Sequence, residues 1–125
     1  MTSQQKIKSF NSITKSFLQQ MSPYLGTSYH YYFNQMIRVN AIAPIEQFGG
    51  YAIPLKNNII NKDEVFFLND KNYEKYINKT DKNFIELLKL KDIWHKLDEP
   101  SKENVWKIFH ALLILSEEYI EIKTK

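Results

Sequence analysis

The chain has 125 residues with 17 basic and 14 acidic side chains, a formal net charge of +3, and no cysteine. That length suits one domain with a core of its own, and the missing thiols exclude disulfides, cysteine nucleophiles and thiolate zinc sites. The first residues hold no apolar leader and no glycine at position 2, and the longest aliphatic run is Ala111 to Leu115, so a soluble, intracellular protein without a membrane span is expected.

The first predicted element is an amphipathic helix from Ser3 to Met21. Ile7, Phe10, Thr14, Phe17, Leu18 and Met21 recur at three- and four-residue steps and leave Lys8, Ser12, Lys15 and Gln19 on the other side. Ser22-Pro23 stops it, because proline disfavours helical geometry in the residue before it. After a connection at Tyr24 to Thr27, with Thr27 or Ser28 as cap, a second helix runs from about Ser28 to Ala43 and closes at Pro44. Its inner side collects Tyr29, Tyr32, Phe33, Met36, Ile37 and Asn40, while Tyr31 and Arg38 fall outside.

Residues 45–60 read as an irregular loop pinned by Phe48, Tyr51, Ile53 and Leu55. The alternative there is a short hairpin turning at Gly49-Gly50, since paired glycines supply the positive φ such turns need, although Pro54 would interrupt the pairing. Asn61 to Glu64 offers a cap and first-turn acids for a short helix burying Val65-Phe66-Phe67-Leu68. Tyr73, Tyr76 and Ile77 suggest another turn or two. A further helix is expected from Asp81 to Leu97, and a last one from a Ser101 cap to about Glu121. In the last, Val105, Phe109, Leu112, Ser116, Tyr119 and Ile120 share a face, and Ile114 points the other way, among Lys107, Glu118 and Glu121. Either this helix is central and covered on several sides, or Ile114 marks a contact with another chain.

Two matching frames, Ile93-Trp94-His95-Lys96-Leu97 and Val105-Trp106-Lys107-Ile108-Phe109, straddle the break at Asp98-Glu99-Pro100-Ser101. They predict an antiparallel C-terminal helical hairpin clasped by the two indoles. The expected fold is one mainly α domain over residues 1–125, with five or six helices.

Chemistry is sparse. His95 has Asp92, Asp98 and Glu99 nearby but lacks the paired histidines of a zincin helix, and neither His30 nor His110 stands in a motif with a nucleophile. The three glycines, Gly26, Gly49 and Gly50, form no phosphate-cradling loop. No cofactor, metal, small molecule or catalytic residue is therefore assigned. Charge is uneven: Met1 to Ile45 holds four basic residues and no acid, against thirteen basic and fourteen acidic in the rest. Sixteen lysines to one arginine resembles codon bias of an AT-rich genome, and the shortage of arginine counts against specific base reading.

The helix from Phe10 to Pro23, the segment Lys62 to Leu68 and the two tryptophan frames, the second continuing to Leu112, together resemble short helical proteins of large DNA viruses of eukaryotes, of the mimivirus, phycodnavirus and iridovirus kind. Ile108, Phe109 and His110 stand where that pattern has Tyr, Leu and Gln. The resemblance implies a context, virion or infected cell, and no active site. The leading expectation is a non-enzymatic interaction or structural protein that meets a protein partner, or itself, through Tyr31, Arg38 and Ile114. The alternative is a weak, sequence-nonspecific nucleic-acid binder using Lys6, Lys8, Lys15 and Arg38.

Overall fold

Thr2 starts the architecture. Its hydroxyl accepts from the Gln5 amide at 3.1 Å while Gln5 Oε1 accepts from the Thr2 amide at 2.7 Å, a capping box that opens helix α1 (Ser3–Gln20). The computed structural model describes residues 2–68 and 93–124. Along it follow α2 (Ser22–Leu25), α3 (Ser28–Val39), α4 (Ala43–Ala52), a 3-10 turn at Ile53–Leu55, α5 (Lys56–Ile60), α6 (Glu64–Phe67), a 3-10 turn at Trp94–Lys96 and α7 (Glu99–Thr124). The fold is mainly α, and the described residues contain no strand.

Helix α7 is the central rod, covered on several sides by α1, α4 and α5. It runs antiparallel to α1: Lys6 meets Glu118, Phe17 meets Phe109 at 6.3 Å between centroids, and Gln20 meets Asn104. Helix α4 lies along the same rod, with Glu46 beside Lys123 and Gly49 beside Ser116. Phe10, Phe17, Phe33, Leu18, Ile45, Leu112 and Leu113 are wholly buried between these elements. Each removes about 1.5–3 kcal/mol worth of apolar surface from water. The two buried hydroxyls donate within their own turns, Thr14 to Phe10 O at 2.9 Å and Ser116 to Leu112 O at 2.8 Å, so neither is left without an acceptor.

The expected clasp is present: Trp94 and Trp106 meet edge to face at 5.7 Å. Phe67 packs on Trp106 at 5.8 Å, and Lys102 Nζ lies 5.6 Å above the Trp94 ring. Asp98 turns the corner. Its Oδ1 accepts from the Ser101 amide at 2.8 Å, so the cap lies three residues before the expected Ser101 and the helix begins at Glu99, with Pro100 in its first turn. Hydrogen bonding from Ser101, first from its hydroxyl and then from its amide, holds the Asp98 carboxyl below its ordinary pKa. Trp94–Lys96, expected in an α-helix, form a 3-10 turn, and the part of the helix expected from Asp81 to Leu97 that precedes Ile93, like the turn expected at Tyr73, Tyr76 and Ile77, lies outside the described residues.

Residues 45–60 correct the sequence reading, being helical rather than a loop or hairpin. Ile45, Phe48, Ala52, Leu55 and Ile59 fall at helical steps and are all buried. Pro44 and Pro54 sit in first turns, where no amide bond is lost. Gly49 serves close approach: a Cβ there would stand 3.3 Å from Ser116 Cβ. Smaller corrections concern ends and faces. Helix α3 ends at Val39, and neither Thr27 nor Ser28 caps it through a side chain. In α6 the cap is Asp63, accepting from Phe66 N at 3.2 Å, but Val65 and Leu68 are exposed because only the Phe67 side packs on the core.

Candidate partner-docking surface

Helix α3 packs on α1 and α4 through Phe33, which is fully buried, with Tyr29, Met36 and Ile37 beside it. At about 100° per residue, Tyr31, Tyr32, Gln35, Arg38 and Val39 fall within an arc of about 120° on the opposite side. Tyr31 is 62% exposed, Tyr32 63% and Val39 88%, and Ile42 extends the apolar strip around the corner into α4. The two tyrosine rings meet edge to face at 6.4 Å. Tyr32 was expected on the inner side. It lies at the border of the periodic stripe, and the positions of α1 and α4 leave it outside.

The base under this strip is fixed. Asn40 Oδ1 accepts from the Ile42 amide at 3.1 Å, closing the corner after α3, and Asn11 Nδ2 on α1 donates to Ala41 O at 2.9 Å. The exposed side chains therefore stand on a backbone held from below, which reduces the ordering cost of binding.

Electrostatics separate this side from the rest. Lys123 Nζ bonds Glu46 at 2.6 Å, which raises the lysine pKa, and Lys56 bonds Glu117 at 3.0 Å and Lys62 bonds Glu103 at 2.7 Å. Lys6, at 7% exposure, lies 2.9 Å from Glu118. It is thereby taken out of the basic set expected for the N-terminal third, its charge neutralised by a helix distant in sequence. Lys8, Lys15 and Arg38 are exposed and have no ion pair among the described residues. Lys8 and Lys15 are two turns apart on one flank of α1, about 40–60° round that helix from Asn11, the residue that reaches the end of α3. The structure thus puts Arg38 and Tyr31 on one face of α3 with Tyr32 and Val39, with exposed Ile42 next in the chain and Lys8 and Lys15 on the flank of α1 beside Asn11, which reaches the end of α3.

Ile114 is 44% exposed but stands elsewhere, on the outer side of α7 among Lys107, His110 and Glu121. An isolated aliphatic residue on a charged helix face is ordinary surface. His95 and His110 are exposed and His30 half-buried. Among the described residues no group of three or more His, Asp or Glu side chains stands close enough to hold a metal ion, and no described helix is long and apolar enough to cross a membrane. No protein-family model matches the chain, and neither a curated protein nor a solved structure matches it.

Sequence reasoning missed Tyr32, Val39 and Ile42. The signal for Val39 is present in the sequence: positions 31, 35, 38 and 39 have the i, i+4, i+7, i+8 spacing of a helix face, beside the more apolar Phe33 stripe.

Proposed function

We propose that this protein is a non-enzymatic interaction module that docks a partner protein through the outward strip of α3. The observation that carries this reading is the contrast within one helix: Phe33 is fully buried while Tyr31, Tyr32 and Val39 stand mostly in water. Exposed apolar side chains grouped on a rigid element favour association, and tyrosine adds contact area with few rotors to freeze. The resemblance to short helical proteins of large DNA viruses supplies the context proposed for it, the infected cell or the virion.

Site-specific photocrosslinking tests the reading. A photoreactive residue at position 31 or 39 should capture a discrete protein in cells that make this chain, and the same group at position 107 should not. Equal capture at all three positions, or none at any, would refute it.

A further inference from the structure

We propose that the occupant of the α3 strip is an acidic amphipathic helix, whose apolar side lies on Tyr31, Tyr32, Val39 and Ile42 and whose carboxylates face Arg38, Lys8 and Lys15. This deepens the docking reading and rests on it. Charge complementarity is the main argument. No acid occurs from Met1 to Ile45, and the three cations around the strip have no ion pair among the described residues. Around α7, by contrast, Glu46, Glu103, Glu117 and Glu118 each have a lysine.

Three alternatives fit less well. A second copy meeting the same strip two-fold would set Arg38 against Arg38, with both pairs of lysines alongside and no acid in that third to offset them. The strip also offers only one helix's width, which matches a helix laid along it, whereas a standard interface covers about 800 Å² on each side. Nucleic acid would use the cations and stack on the tyrosines, but it has no use for an aliphatic residue as exposed as Val39, at 88%.

Selection from a displayed library of short helical peptides, randomised at flanking charged and central apolar positions, decides the matter with the full chain as bait. Wild type should enrich peptides with apolar residues at i, i+4 and i+7 flanked by Asp and Glu. Reversal of the three charges together (K8E, K15E, R38E) should weaken an enriched peptide by about tenfold, the sum of a few exposed pairs, and should turn the selected flanks toward Lys and Arg. All three side chains are exposed, and circular dichroism of the variant confirms its fold. Enrichment that Tyr31→Ala with Val39→Ser abolishes, but that has no acidic bias, overturns the acidic occupant while leaving the docking site standing. Absence of any enrichment defeats both. Tighter binding of a single-stranded oligonucleotide or of anionic lipid vesicles, lost in the charge-reversed variant, overturns the protein occupant.

Discussion

The seam between α1, α4 and α7 and the outer side of α3 are both rich in aromatic rings, but not in the same ones. The seam holds Phe10, Phe17, Phe48 and Phe109, joined through ring contacts of 5.6 Å, 6.1 Å and 6.3 Å. The outside of α2 and α3 shows Tyr24, Tyr31 and Tyr32. One oxygen separates the two residue types, and its hydration weighs on the side, since a buried hydroxyl without a partner costs about 1–3 kcal/mol, comparable to what burying the ring gains. Tyr119 obeys the same rule: it is buried, and its hydroxyl reaches Glu46 at 3.5 Å. Among the described residues the rings just named thus divide into those that hold the fold and those that remain available to something else.

The sharpest attempt to break this division is Trp106→Ala. The indole is buried between Trp94 and Phe67, and its loss should lower the unfolding free energy by about 3–5 kcal/mol in urea titration. A loss below about 1 kcal/mol would place that ring with the outer set. Next in size is a matched pair on α4. Gly49→Leu drives a side chain into Ser116 and should destabilise by about 1–3 kcal/mol, whereas Gly50→Ala meets nothing within 4 Å and should stabilise by about 0.5–1 kcal/mol through helix propensity. Equal responses at the two glycines would mean that α4 does not press on α7 as described. On the outer side, Tyr31→Ala with Val39→Ser should move stability by less than about 0.5 kcal/mol, and a larger drop in melting experiments would reassign those side chains to the fold. Smallest is the effect of acid on the α7 cap. The folded-state pKa of Asp98 is depressed by hydrogen bonding from the Ser101 hydroxyl and, second, its amide, so its contribution is complete above the ordinary carboxylate range and disappears as pH falls through the depressed value. Asp98→Asn keeps a capping oxygen but cannot titrate. Its denaturant midpoint should fall less steeply with acid than that of wild type, and superimposable profiles would detach the cap from the pH response.

Helices α1 and α7 were legible because their apolar positions repeat without interruption, and the indole clasp because its two frames match. Helices α4 and α5 were obscured by Gly49, Gly50 and Pro54, residues whose local preferences point to turns. What overrode those preferences was tertiary: Ser116, far along the chain, needed a neighbour without a side chain. Within the candidate site, Tyr31 and Arg38 could be placed from periodicity alone. Tyr32 could not, since the fate of a border position depends on where other helices stand. Lys6 misled for a similar reason, because its carboxylate partner Glu118 has no signature near it in sequence.

The centrality of α7 bears on how the molecule comes into being. The rod against which α1, α4 and α5 all lean is translated after every one of them. A nascent chain ending anywhere before Glu99 would present Phe10, Phe17 and Phe48 with the surface meant for them still unmade, and emergence at about 5–20 residues per second leaves that gap open for seconds. Folding of these helices thus waits for α7, and ribosome-stalled fragments ending before Glu99 should be held by chaperones.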